Sequence, residues 1–367
     1  MAETYNDTLI ADTMEPLQSN SYNIYFNDAL AEVGRFIEDG KYSRFFVLTD
    51  ENTTKHCLPL LREKLGSKDD DFDLIEINAG EESKDIDFCI GVWKMLIDFG
   101  ADRKALLINL GGGVISDLGG FAASTFKRGI DFVHVPTTLL SQVDASVGGK
   151  TGIDIDSIKN IIGTFTQPKA VFIDYEFLKT LPARQILSGT AEMLKHGLIC
   201  DAAYWNLLKN SDLSQPTAEM VYKSVGIKNQ VVLEDPHEKN IRKSLNFGHT
   251  IGHAVETYSL INDEDSLSHG EAIAIGMICE AYLSYKKTDL SLDELNEITD
   301  VLTELYPFYQ LRDEMNDELL AIMKKDKKNQ GGNINCTLLS RIGEFNIDNI
   351  CTADELIESL QYYASLN

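Results

Sequence analysis

The sequence predicts a two-domain protein, with an α/β N-terminal domain built on a largely parallel sheet over residues 1–180 and a mainly α-helical C-terminal domain over 181–367. Three observations lead there. As far as Ile173, short β-rich runs alternate with helical ones, the order that folds into a parallel sheet covered by helices. Several of those runs are continuously apolar, as strands covered on both faces must be. Beyond Leu181-Pro182, three-to-four-residue apolar spacing takes over, and the boundary falls near 175–182.

In chain order, the strand candidates are Phe45–Thr49, Leu74–Ile77, Ala105–Leu110, Phe132–Val135 and Ala170–Ile173. Helical segments such as 58–65 and 86–99 separate them, and Ser67 to Asp73 reads as an acidic surface loop. In the second half, 183–198, 220–234, 247–258, 271–285, 292–305 and 353–366 carry helical spacing, and only Asn335–Leu339 reads as a strand.

With 367 residues, 43% of them apolar and 9% aromatic, the chain can bury two cores, and an intrinsically disordered protein is excluded. The six cysteines are scattered without ligand or framework spacing and read as reduced thiols. No stretch has signal-peptide character or approaches the ~18 apolar residues of a membrane helix, so a cytoplasmic protein is expected. A net charge of −25 argues against nucleic acid as a partner. An anionic small substrate would therefore need a local cluster of cations.

Two histidines, His249 and His253, stand four apart in a helical segment, Asn246 to Glu256, so that both rings share one helix face. His269 follows at the head of the next helical run, and Glu192 and His196 stand four apart on an earlier helix. On spacing alone these five are candidate ligands for a divalent ion. A catalytic site would use three of them and keep open positions for substrate. His56, His134 and His237 read as structural or exposed. In the first half, consecutive glycines at Gly111-Gly112-Gly113 between a strand and a helix suit the backbone for close approach of a phosphate.

Residues Gly111 to Asp117 resemble the GGGxxxD loop shared by dehydroquinate synthases and the metal-dependent polyol and alcohol dehydrogenases, which implies NAD. The ordered set Lys127-Arg128-Gly129, Val135–Leu140, Val143–Gly152 and Lys159–Gly163 closely resembles the 3-dehydroquinate synthase family of sugar phosphate cyclases. The resemblance continues through Phe177–Pro182, Ala191–Gly197, Arg242, the histidine segment, His269-Gly270-Glu271 and Asp326–Asn329, so that it spans roughly residues 45 to 345.

What the resemblance implies is specific. The N-terminal sheet would be Rossmann-like and the whole fold dehydroquinate synthase-like. Glu192, His249 and His269 would hold one divalent metal, Zn²⁺ first and Co²⁺ second, with His253 a polar catalytic neighbour and His196 a packing residue. Asp144, Lys150, Lys195, Arg242, Asn246 and His253 would be catalytic, and Arg128, Asn160, Lys228 and Lys327 would bind substrate. NAD would meet Asp50, Asn52, Glu81, Lys84, Gly112, Gly113, Asp117, Thr137, Thr138, Lys159, Phe177 and Thr180. Arg128 corresponds to the family arginine that reaches the neighbouring subunit's active site, which implies a homodimer.

The family reaction turns 3-deoxy-D-arabino-heptulosonate 7-phosphate into 3-dehydroquinate and phosphate. It proceeds by transient NAD-dependent oxidation, elimination, re-reduction, ring opening and an internal aldol step. Asp144 and His253 are the protein's proton-transfer candidates, and the substrate's own phosphate is the alternative base. A polyol dehydrogenase would not need the Gly148-Gly149-Lys150 loop or Arg242, whereas a related sugar phosphate cyclase would share nearly all of these residues.

Overall fold

The computed structural model describes residues 14–26, 28–66, 72–155, 158–325 and 334–367. The chain forms two compact units, one made of the residues up to Pro182 with Thr217–Asn229, the other of Ala183–Pro216 with Gln230–Asn367. Among the described residues no helix is long and apolar enough to cross a membrane.

The first unit runs β1 (Leu17–Gln18), β2 (Asn23–Tyr25), α1 (Ala29–Gly40), β3 (Phe45–Asp50), α2 (Glu51–His56), α3 (Leu58–Leu65), β4 (Phe72–Ile77), α4 (Ile86–Asp98), β5 (Leu106–Gly111), α5 (Gly113–Thr125), β6 (Asp131–Pro136), β7 (Lys150–Ile155), β8 (Ile158–Phe165) and β9 (Ala170–Phe172). Seven strands form one sheet in the order β1-β2-β9-β6-β5-β3-β4. Every pair is parallel except β1 with β2. The five strands expected from the sequence are all present, and most of the 67–73 loop lies outside the described residues.

Alternate residues of each central strand enter opposite cores, as period-2 side chains must. Phe46, Leu48, Leu107 and Phe132 join one cluster, while Val47, Leu106, Ile108 and Val133 join the other. Two buried polar residues of the central strands meet each other. Asn109 and His134 are register partners on β5 and β6, with Asn109 Nδ2 3.3 Å from His134 Nδ1. Burial pushes the His134 imidazole down to about 3, so it sits neutral as an acceptor. It is structural.

Chain order reverses between β3 and β5, because β4 lies beyond β3 and β6 beyond β5. In doubly wound sheets the crevice beyond the carboxyl ends at such a reversal is where ligands bind. Here those ends carry Asp50 and Gly111. Outside the main sheet, β7 and β8 make an antiparallel hairpin that the apolar pattern did not announce. Gly148 and Gly149 precede it at φ 106 and 68, conformations that a side chain would strain.

The second unit is mainly helical. It contains α6 (Ala183–Cys200), α7 (Ala202–Lys209), the last turn of α8 (Ala218–Glu234), α9 (His249–Asn262), α10 (His269–Lys287), α11 (Leu292–Leu305), α12 (Asn316–Lys325), β10 (Ile334–Arg341), β11 (Glu344–Cys351) and α13 (Ala353–Ala364). The expectation of a single strand here is corrected: β10 pairs antiparallel with β11. Its inner face, Phe345, Ile347, Asn349 and Cys351, is only half-buried before Cys351 and includes an asparagine, while Ile350 lies exposed on the other face, so the apolar alternation in the sequence is short and broken.

Helices α9 and α10 meet backbone to backbone. A Cβ placed on Gly276 would fall 2.6 Å from Gly252 N and 2.9 Å from Gly248 C, and one on Gly252 would fall 2.9 Å from Ala272 O. Glycine at this crossing is thus a steric requirement, and it brings together the helices that carry the three clustered histidines.

Candidate active site

Helix α6 passes through the second unit's interior and presents Glu192 at 0% exposure. The other two candidate ligands each begin a helix. His249 follows Gly248, whose φ of 80 turns the chain into α9. His269 follows Ser268, which caps α10 in a reciprocal box with Glu271. Arg184 holds that box from α6, with Nη2 2.8 Å from Glu271 Oε2.

The three side chains converge on one point. His249 Nε2 lies 3.5 Å and His269 Nε2 3.6 Å from the same Glu192 Oε1, and all three donor atoms lie within 4.8 Å of one another. A tetrahedral ion with bonds of ~2.1 Å separates its ligands by about 3.4 Å, so the spacing fits a divalent metal. Each ring is also fastened from behind. His249 Nδ1 meets Phe247 O at 3.1 Å, and His269 Nδ1 meets Glu256 Oε2 at 3.4 Å. A proton held on Nδ1 leaves the Nε2 lone pair for the ion.

The local field favours a cation. Burial opposes a charge on His269, yet Glu256 and Glu192 outweigh it and raise the imidazole to about 9. His253, one turn along α9, has its ring 4.9 Å from that of His249 and 5.8 Å from that of His269. His253, Glu256 and His269 meet the same spacing criterion. We favour the Glu192 set because both of its imidazoles are held from behind at Nδ1. His196, the fifth candidate, is buried at 0% exposure on α6.

Cationic and amide groups surround this cluster in sequence. Lys195, 1% exposed, ion-pairs with the Glu192 carboxylate. Arg242, 2% exposed, donates from Nη1 to Pro236 O at 2.7 Å, and Asn246 Nδ2 donates to Glu238 Oε1 at 3.0 Å. Their segment is shaped by Asp235, whose carboxylate accepts from the backbone N–H groups of Lys239, Asn240 and Arg242 at 3.0, 2.6 and 3.1 Å. Burial works to raise Asp235, but these N–H groups and the Arg242 charge outweigh it and hold it below the usual carboxylate range. Lys327 lies outside the described residues.

In the first unit, the loops beyond β5 and β6 are tied together by Thr137 N donating to Gly111 O at 3.0 Å. Gly112 caps α5 and Gly113 begins it, so the positive end of the helix opens there. Asp50 is partly used as a cap, accepting from Thr53 N at 2.8 Å, and Asn52 is exposed in the first turn of α2. Thr138 Oγ1 lies 3.0 Å from Ser141 Oγ.

Four of the residues assigned to NAD form one charged network. Lys84 Nζ is 2.6 Å from Asp117 Oδ2 and 4.0 Å from Glu81 Oε1, which Lys159 Nζ approaches to 3.7 Å. Burial disfavours the Lys84 charge, but Asp117, Glu81 and Asp154 overcome it and raise the ammonium above its ordinary range. Phe177 is 2% exposed within the apolar core, and Thr180 Oγ1 donates back to its carbonyl at 3.3 Å.

Asp144 and Lys228 come together. Asp144 lies in a single wide turn, Ser141–Ala145, and its Oδ1 is 2.6 Å from Lys228 Nζ on the part of α8 that belongs to the first unit. Lys150 is exposed at the start of β7, and Asn160 is exposed on β8 at φ 52, its N–H donating to Asp154 Oδ1 at 2.6 Å. Arg128 is exposed, and with Lys127 it adopts left-handed backbone at φ 73 and 50. Two such residues in succession store strain of the kind that collects at functional turns.

Sequence reasoning missed the supporting carboxylates Glu256, Asp235 and Glu280. Glu280 had a signal: it is an acidic residue within the otherwise apolar run Ala272 to Ala281, and it is fully buried.

Comparison with known proteins matches residues 74–188 to the family model described as 3-dehydroquinate synthase N-terminal and residues 189–329 to its C-terminal counterpart. The 3-dehydroquinate synthase of Parabacteroides distasonis is 42% identical over 342 residues, covering 92% of this chain and 96% of that protein. That of Clostridium botulinum is 39% identical over 337 residues, covering 89% of this chain and 95% of that protein. Among solved structures, 2-epi-5-epi-valiolone synthase from Streptomyces hygroscopicus, with NAD⁺ and Zn²⁺ bound, superposes with a TM-score of 0.83 at 28% identity over 96% of this chain and 99% of that one.

Proposed function

The chain belongs to the 3-dehydroquinate synthase family, and from that premise we propose that it converts 3-deoxy-D-arabino-heptulosonate 7-phosphate into 3-dehydroquinate and phosphate. The observation that carries the chemistry is the convergence of His249 Nε2 and His269 Nε2 on Glu192 Oε1, at 3.5 and 3.6 Å. Those three residues would hold a divalent ion, Zn²⁺ or Co²⁺. When bound, the ion supplies Lewis acidity at the hydroxyl to be oxidised, and NAD supplies a transient hydride acceptor.

The chain's own residues do the rest. Asp50, Asn52, Glu81, Lys84, Gly112, Gly113, Asp117, Thr137, Thr138, Lys159, Phe177 and Thr180 form the NAD subsite. It is supported by the helix N-terminus at Gly113, the crevice at the sheet's reversal, and the network around Lys84. Lys150, Lys195, Arg242, Lys228, Asn160, Asn246 and Lys327 bind and orient the anionic ends of the substrate, which a chain of net charge −25 could not attract without local cations. The ion pair with Lys228 fixes the Asp144 carboxylate for proton transfer, and His253 exchanges a proton beside the ligand histidines.

The active form is a homodimer in which Arg128 serves the neighbouring subunit. Its strained, exposed turn supports this, as do the exposed apolar side chains of the β7–β8 hairpin, Ile155, Ile161, Ile162 and Phe165.

The deciding experiment incubates the protein with the heptulosonate phosphate, NAD⁺ and Zn²⁺ while phosphate and NADH are measured together. Phosphate release without net NADH is the expected result. Accumulating NADH without phosphate would replace the proposal with a polyol dehydrogenase. Turnover of another sugar phosphate only would replace it with a related cyclase.

A further inference from the structure

We infer that Glu280 is a positioning residue that sets the register between the two metal-binding histidines; the inference rests on the assignment of Glu192, His249 and His269 as ligands. Helix α9 starts at His249 after Gly248, an N-cap residue with no side chain to cap it, so the N–H groups of its first turn need acceptors from elsewhere. Glu280, reaching over from α10 at 0% exposure, provides them. Its Oε2 accepts from Gly248 N at 2.7 Å, and its Oε1 accepts from Thr250 N at 3.1 Å and Ile251 N at 3.3 Å.

Those donors bracket His249. Holding the peptide that follows His249, the next one, and the peptide before Gly248 pins the first turn on either side of the residue and so fixes the direction of its Cα–Cβ bond, which here carries the imidazole to Glu192. Glu280 stands on the same helix that begins with His269. One carboxylate therefore connects the start of one ligand helix to the body of the other. The glycine contacts at Gly248, Gly252 and Gly276 bring the two backbones close enough for it to reach. A carboxylate is needed because both oxygens accept, and its charge matches the positive end of α9. An amide offers one oxygen and cannot serve both edges.

The test compares Zn²⁺ affinity, by competition with a chromophoric chelator, and the visible spectrum of the Co²⁺-loaded protein. The variants are parent, Glu280→Gln and His249→Ala, with thermal melts of the metal-free proteins run alongside. Groups that orient metal ligands are worth 10–100-fold in metal affinity, so Glu280→Gln is expected to bind Zn²⁺ roughly 10–100-fold more weakly, with an altered cobalt spectrum. Glu280→Asp, which keeps the charge but withdraws it by one methylene, carries the same expectation and replaces Glu280→Gln if that variant does not fold. A lowered melting temperature with parental Zn²⁺ affinity and cobalt spectrum, while His249→Ala loses metal, would overturn the positioning role alone. Parental Zn²⁺ affinity in His249→Ala would overturn the ligand assignment and the inference with it.

Discussion

Replacing Gly276 with alanine tests whether the α9–α10 crossing sets the metal site. Two opposing effects act. In a helix interior, alanine is preferred over glycine by about 0.5–1 kcal/mol, so propensity alone predicts stabilisation. Against this, the new methyl would stand 2.6 Å from Gly252 N and 2.9 Å from Gly248 C. Gly248 O would lie closer still; even the approach to Gly252 N is roughly 0.8 Å inside ordinary van der Waals contact, and all three atoms are backbone that no rotamer change can clear. Overpacking of this kind costs typically 1–3 kcal/mol, with the upper end expected where backbone must move.

The clash therefore wins, by about 1–2 kcal/mol. With an unfolding entropy of about 2.1 cal/mol/K per residue, a chain of 367 residues shifts by roughly 1.3 °C per kcal/mol, so the metal-free protein should melt about 1–3 °C lower. Relief of the overlap also moves His249 relative to His269 by several tenths of an ångström, beyond the ±0.2 Å that a metal site tolerates. Zn²⁺ affinity should fall at least tenfold. Calorimetry of the metal-free protein and chelator competition check the two numbers. A variant with an unchanged or higher melting temperature and parental Zn²⁺ affinity would refute the crossing as the determinant.

Three further outcomes follow from the same structure. His134 is pushed down to about 3 from its ordinary 6.5, so below pH 6.5 the unfolded chain binds a proton that the folded one does not. Stability present at neutral pH is lost as pH falls, at about 1.4 kcal/mol per pH unit from this residue, and His134→Gln should show an acid limb shallower by roughly 2 kcal/mol between pH 6.5 and 5 in urea titrations. Parallel limbs would count against a buried neutral imidazole. Lys228→Met removes a charged hydrogen bond of 2.6 Å to Asp144 and should lower kcat/KM for the heptulosonate phosphate at least tenfold, whereas parental kinetics would remove both residues from the site. Mixing subunits altered at Arg128 with subunits altered at His249 should restore partial activity in verified heterodimers, and no rescue would end the shared-site proposal.

Much of this protein is legible in its sequence because the responsible forces are local. Leu106–Gly111 reads as a covered strand since every one of its residues is buried, and α11 is found at the expected residues 292–305 since its apolar spacing survives folding unaltered. The donor chemistry was legible as well: two histidines one helical turn apart, a third at a helix start, and a carboxylate near another.

Spacing narrowed the candidate metal ligands to Glu192, His196, His249, His253 and His269, and resemblance proposed three of them; what orients those three is a matter of tertiary structure. Phe247 O and Glu256 turn Nε2 of His249 and His269 inward, and neither partner carries a mark of that task in the sequence. The contact of Gly276 with Gly248 and Gly252, the reach of Glu280 across to α9, and the pairing of β11 with β10 belong to the same class. Each joins segments distant in the chain through close approach, and close approach is a property of packed surfaces rather than of any one segment's composition. Residue types and their periodicity thus determined the layers and the list of donors, and packing decided which donors meet.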